Sequence, residues 1–516
     1  MEKEFTKLII AKHLFDGISD LAYEGYLCLK NEKIVKTGRG EPNRELVEQA
    51  EDVIRFEEEL VMPGIIDTHT FFTGYAVFHV GADVSKVCNN QEGLKVLKDY
   101  QKEKEPEGAL LGHGWNPEKW DRGQGEEMLE QEYPHKAVVL FSEDRSTCIM
   151  NAKAKEEYGF TSETCYPESY WKIQREFLND REFIEKEFSD YMSMMNARGV
   201  TTVKEMGFDD FYGFTDYLRE VEESNNLRLR VFFMSQPTGR PMDLPYARRM
   251  REMFKGEKVR FSGFNRMTDG TIADYKGDLK TPYENKDFCC SIEVPYDEIE
   301  ADVLAADAEN FRWSLHAQGD GAVGKIADIY EKCKKEDGKL KNKHAITDME
   351  FTDPKDLERL GEIGATAELY FQIMSLDPGD VLVKNIMNTI GPKRKRYYWN
   401  RRKMQDSGMV LSGATDLPLL LTSVPESIYY SCIGYLDGED TPFQQENTLK
   451  IYEMLKAWTI GGAKNLSMEE QMGTLEEGKF ADIAIFDRNL LSVKPQEAKE
   501  AKVMMTIMDG EVVYSR

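Results

Sequence analysis

A chain of 516 residues and 59.4 kDa exceeds one ordinary domain and can bury a large core. Its 93 acidic against 67 basic residues give a formal charge of −26 and a pI near 4.9, a balance that repels nucleic-acid phosphate and anionic lipid and argues against either as a partner. No stretch approaches the roughly 20 uncharged apolar residues of a membrane span. The opening MEKEFTKLII lacks the apolar run and small-residue cleavage site of a signal peptide.

In chain order, KLIIAKHLF and YLCLKNEKIVKTG predict strands near the start, the second turning through Asn31-Glu32-Lys33. VMPGIIDTHTFF (61–72) predicts the next strand, entered through Pro-Gly and ended by a lone His69. Residues 73–195 exceed what one strand–helix connection needs, so they predict an inserted subdomain. Within it GHGWNPEKW (112–120), rich in Gly and Trp, is expected as a loop near the mouth of the main fold. Apolar runs then recur: AVVLFSE (137–143), VTTVKEM (200–206), LRVFFM (229–234), VRFSGFNRMTDG (259–270), RWSLHAQGD (312–320), KHAITDME (343–350), ATAELYF (365–371) and MVLSGATD (409–416). Helical stretches such as DFYGFTDYLREVEE and AVGKIADIYEKCKKE lie between several of them. Repeated βα units predict a parallel sheet, and this many of them a closed (β/α)8 TIM barrel. At the far end FADIAIFD and VMMTIMDGEVVYS, with an Asp509-Gly510 turn, predict more strands. The expected fold class is α/β: a barrel over 61–469 with its insertion at about 73–195, and a small β-sandwich built from both termini, 1–60 and 470–516. Eight scattered cysteines without a CxxC pair point to reduced thiols and a cytoplasmic location.

VMPGIIDTH, GHGWNPEKWDRG, DRSTCIMNAKA, GVTTVKEMG, HAQGDGAV, LSGATDLP and GTLEEGKFADIAIFD, in that order, resemble the amidohydrolase superfamily, most closely its amidohydrolase 3 branch. The resemblance spans nearly the whole chain. It implies one or two divalent metals at the C-terminal ends of the barrel strands, a metal-activated water, and an Asp on the last strand that shuttles its proton. It also implies a small-molecule substrate, and it leaves the oligomeric state open, with a homodimer as one option because dimers are common in that family. Against its pattern, His69, His316 and Asp416 are kept. The second histidine of the first strand is Phe71, the bridging lysine of the fourth is Asn265, the sixth-strand Glu-His is Thr347-Asp348, and Ser146 replaces a histidine in the insertion.

Phe71 cannot coordinate and Asn265 cannot form a carboxylated-lysine bridge, so a two-metal site is not expected. His69, His316 and Asp416, from strands one, five and eight, instead predict one ion with a position left open for substrate. Asp348 and Glu205 are further candidate ligands; oxygen donors shift preference toward manganese, so zinc and manganese are both expected. Asp416 and His316 are the candidate catalytic residues, and Phe71, His113, Trp115 and Asn265 the candidate substrate contacts. The expected reaction is hydrolytic opening of a small cyclic substrate, at a cyclic amide C–N bond or a cyclic β-diketone C–C bond. A non-catalytic binding scaffold that has lost its metal is the alternative. Metal-free acid–base chemistry through Lys204, Glu205 and Asp416 is a third reading.

Overall fold

Several of the barrel strands are buried along their whole length, the pattern of a parallel sheet covered on both faces. In the computed structural model, which describes residues 3–165, 169, 172–209, 213–237, 240–420, 423–439 and 441–516, eight parallel strands lie side by side in sequence order. They are Ile65–Thr70, Val200–Glu205, Arg230–Ser235, Val259–Met267, Trp313–Ala317, Ala345–Asp348, Thr366–Tyr370 and Val410–Ala414. The eighth strand returns to the first through a parallel bridge between Thr70 and Leu417 and a bond from the Asp416 amide to the His69 carbonyl (2.8 Å). The sheet is thereby a nearly closed barrel, as the repeated βα units predict. Helices between strands are set by local signals. Pro354–Glu362 starts with Pro in its first turn and Asp353 accepting from the Lys355 amide, and Leu244–Met253 repeats the device with Asp243.

The chain divides into two units. The first, Met1–Thr70 with Ser193–Gly207 and Val221–Arg516, holds the barrel and a seven-stranded sheet. That sheet takes four strands from the start of the chain, Phe5–Leu14, Tyr23–Lys30, Lys33–Arg39 and Ala50–Pro63, and three from its end, Ile483–Phe486, Val503–Met508 and Glu511–Ser515. It curls on itself: Lys33 bridges to Phe480, and the Ile34 amide donates to the Lys479 carbonyl. Ile9, Leu27, Leu29, Ile483, Ile485 and Ile507 fill the enclosed core. Barrel and sheet are locked by Arg230, fully buried, whose guanidinium pairs with Asp482 and Asp509 and lies 3.7 Å from the Phe480 ring.

The second unit, Phe71–Met192 with Phe208–Glu220, has its own four-stranded sheet: Ala82–Asp83, Leu110–Trp115, Val138–Ser142 and Cys148–Met150. Leu97, Leu110, Trp115, Trp120, Leu129 and Ile149 form its core. Two expectations are corrected here. The run 137–143 is a strand of this sheet and not of the barrel. GHGWNPEKW begins as the strand Leu110–Trp115, whose two ends, Leu110 and Trp115, pack into the core of this unit.

Candidate active site

Closing the barrel sets the first two site residues side by side. The Asp67 carboxylate accepts from the amides of His69 (3.3 Å) and Thr415 (3.1 Å) and from the Thr415 hydroxyl (2.6 Å), tying the end of strand one to the end of strand eight. Burial pushes that carboxyl up to about 7. Asp416 follows, at φ 52°, a left-handed conformation that carboxylate residues tolerate better than most. Its Oδ1 lies 3.5 Å from His69 Nε2.

Behind His69 stands Glu368 of the seventh strand, fully buried. It accepts from His69 Nδ1 (3.4 Å), Thr347 Oγ1 (2.8 Å), Ser314 Oγ (2.9 Å) and Asn465 Nδ2 (3.0 Å), and it pairs with the buried Lys204 ammonium. Burial alone would raise its carboxyl, but Lys204 and these donors hold it far below the usual range, so it is ionised and can only accept. The proton of His69 therefore sits on Nδ1 and the Nε2 lone pair points to Asp416. A carboxylate behind a histidine is how proteins orient a metal-ligating imidazole. Burial lowers His69 as well, which keeps the ring neutral.

His316, at the end of strand five, lies between Asp348 (Nε2 to Oδ2, 3.2 Å) and Asp269 (Nδ1 to Oδ1, 3.8 Å), and its Nδ1 has no hydrogen-bond partner. Burial opposes its charge, yet Asp348, Asp269 and Asp416 together raise it to about 9. Asp348, at φ 77°, also accepts from Gln318 Nε2 (2.7 Å). Asp269 is fixed by the amides of Gln318, Gly319 and Asp278. Asn265 donates to Gln236 Oε1 (2.8 Å) and leaves its own buried oxygen without a partner. Glu205, fully buried at the end of strand two, accepts from the Thr70 hydroxyl (2.9 Å). Partial burial and the Asp348 charge push Asp416 well above the usual carboxylate range.

Within this donor set, one pair has the spacing of ligands to a shared divalent cation, and no third donor joins it within 4.8 Å among the described residues. Two ligands sharing one ion at about 2.0–2.2 Å lie a little over 3 Å apart, and His69 Nε2 and Asp416 Oδ1 match that spacing. Asp348 and Asp269 flank His316, whose Nδ1 has no hydrogen-bond partner, so carboxylates are concentrated in this part of the mouth. Among the described residues, the one set of three His, Cys, Asp or Glu donors within 4.8 Å of one another lies elsewhere: Asp307, Cys333 and His344. Its tautomer rules that set out. His344 Nδ1 accepts from the Trp313 amide (3.0 Å), so Nε2 carries the proton it gives to Asp307 (2.9 Å) and has no lone pair for a metal.

The structure brings His69, Asp416, His316 and Asp348 to the C-terminal ends of strands one, eight, five and six, with Glu205 and Asn265 on strands two and four. Phe71, His113 and Trp115 belong to the second unit. There Trp115 is a core residue, and His113 Nδ1 donates to the Val80 carbonyl (3.0 Å). Sequence reasoning missed Glu368, Asp67 and Asp269. Glu368 left a signal, as the single charge in the apolar run ATAELYF.

A family model described as "Amidohydrolase family" matches residues 52–514. Protein LONG AFTER FAR-RED 3 of Arabidopsis thaliana is 20% identical over 541 aligned residues, 97% of this chain and 90% of its own length. The N-substituted formamide deformylase of Arthrobacter pascens is 24% identical over 210 residues, 39% of this chain and 36% of its own. Among solved structures, an uncharacterized metal-dependent hydrolase of Pyrococcus horikoshii superposes with a TM-score of 0.71 at 18% identity, covering 95% of this chain and 99% of that one.

Proposed function

Because the chain belongs to the amidohydrolase family, we propose that its barrel mouth opens a small cyclic substrate with the help of one divalent metal. The bond broken is a cyclic amide C–N bond or a cyclic β-diketone C–C bond. His69, His316, Asp348 and Asp416 would hold the ion, zinc or manganese, with Glu205 as a further candidate. When bound, such an ion polarises a carbonyl and makes water nucleophilic near neutral pH. One ion is proposed, since Phe71 offers no donor and the Asn265 amide is engaged with Gln236.

The chain's own residues supply the rest. Glu368 holds the proton on His69 Nδ1 and thereby aims Nε2 into the mouth. Asp416, with 23% of its side chain exposed, is the group that meets solvent there. At the end of the last strand, it would take the water's proton and return it to the leaving atom. The carrying observation is the 3.5 Å approach of His69 Nε2 to Asp416 Oδ1, with Glu368 behind. A second reading, a binding scaffold without metal, is favoured by the absence of a three-donor cluster in the mouth among the described residues. The eight free cysteines support a reducing, cytoplasmic setting.

Metal analysis after zinc or manganese supplementation, paired with ring-opening assays on cyclic amides and cyclic diketones, tests the proposal. The wild type is expected to hold about one ion per chain and His316→Ala much less. Asp416→Asn is expected to lose roughly 100- to 10,000-fold in rate. A wild-type protein free of metal after supplementation overturns the metal-dependent reading.

A further inference from the structure

We propose that Arg401 anchors a carboxylate on the cyclic substrate, an inference that rests on the hydrolase reading above. Arg401 is 5% exposed. It opens the helix Arg401–Asp406, which precedes the eighth strand and so begins at the end of the barrel where the catalytic candidates lie. Its guanidinium donates to the Tyr370 carbonyl (3.3 Å) and reaches the Met374 thioether (3.4 Å), with the Phe371 and Trp399 rings each 6.0 Å away. Among the described residues no carboxylate comes within 4.0 Å of it. Arg230, equally buried, has two carboxylate partners.

A buried guanidinium with most of its five N–H donors unspent is costly unless an anion completes it. The surroundings indicate which anion. Tyr370, whose carbonyl holds Arg401, sets its ring edge-on to His69 at 5.6 Å. Burial pulls Arg401 down to about 10 against the charges of Cys432, Glu350 and Asp348, and the Glu350 carboxyl is already engaged by the Tyr398 hydroxyl. The Trp399 amide, two residues before Arg401, donates to the Glu350 carbonyl (2.6 Å), which fixes the start of the helix against the end of strand six. Asp348 and Asp416 repel a carboxylate elsewhere at this end of the barrel, whereas a planar guanidinium fork binds one through two parallel bonds. The anchor thereby selects acidic ring substrates and orients them.

The test uses matched pairs that differ by one carboxylate: hydantoin-acetate against hydantoin, and pyroglutamate against pyrrolidone. Binding is followed by calorimetry and ring opening in parallel, on the full chain supplied with metal. The acid of at least one pair is expected to bind at least about 30-fold tighter than its neutral partner. Arg401→Met is expected to bring the acid-to-neutral affinity ratio down to about one, and Arg401→Lys to restore part of it. Because Arg401→Met removes an uncompensated charge, its melting temperature is expected to hold or rise, which a merely structural arginine would not give. Equal binding of acid and neutral members, a preference that survives in Arg401→Met, or no binding by any acid overturns the anchor. Arg401-dependent binding without ring opening would keep the anchor and sink the hydrolase reading. Ring opening of neutral members alone would do the reverse.

Discussion

Glu368→Gln removes the counter-ion of a lysine that has no route to water. Lys204 is fully buried, and its other bonds go to Ser314 Oγ (3.0 Å) and Asn465 Oδ1 (3.2 Å). Burial already pulls Lys204 down to about 8 with Glu368 in place. Without that carboxylate, Lys204 either stays charged and unpaired or gives up its proton. Deprotonating an ordinary lysine at pH 7 costs about 4.6 kcal/mol, from its usual pKa near 10.4, and this caps the penalty. Breaking one side of a buried pair costs about 3–5 kcal/mol in general, which agrees. Lys204→Met, which strands Glu368 instead, is expected to cost a similar amount. The double variant is expected to be more stable than either single one, since a glutamine and a methionine leave no buried charge. Urea unfolding of all four proteins, compared as a double-mutant cycle, measures the coupling. A coupling below about 0.5 kcal/mol would refute the assignment of Lys204 and Glu368 as one charged pair.

Two further expectations concern stability away from the mouth. His344 is lowered by burial, so the unfolded chain binds this proton more readily than the folded one. Its contribution is complete above the unfolded value near 6.5 and is lost as pH falls below it; Asp307, lowered by its His344, Lys334 and Asn342 bonds against the effect of burial, adds a loss in the same direction at lower pH. Urea midpoints between pH 7 and 5 should therefore fall less steeply in His344→Gln than in the wild type, and identical slopes would exclude His344 from the acid response. Gly461→Ala places a new Cβ 2.0 Å from the Leu411 carbonyl oxygen, a backbone atom that no rotamer change can move. It should cost about 1–3 kcal/mol or more by thermal unfolding, and an unchanged midpoint would contradict this packing.

Much of this molecule is already decided in the order of its residues. Short bounded runs such as VTTVKE and TAELY, between helical stretches, read as strands from the sequence alone. Strands alternating with helices leave a parallel barrel as the economical way to bury both faces of the sheet. His69 and His316 are singled out by the family resemblance of their flanks and Asp416 by its place at the end of the last strand, and the fold sets all three at the C-terminal ends of barrel strands. Tertiary structure alone decided the partners. Periodicity identifies 138–142 as a strand but carries no information on which sheet it joins, since that depends on contacts distant in sequence. Likewise nothing local distinguishes Glu368 as the group that orients His69 and neutralises Lys204, residues 299 and 164 positions away. Arg401 reads as a surface charge beside Arg402, and only folding buries it without a counter-ion. Side-chain type and local pattern are written along the chain, whereas the charge balance of a buried site is set by which strands the barrel brings together.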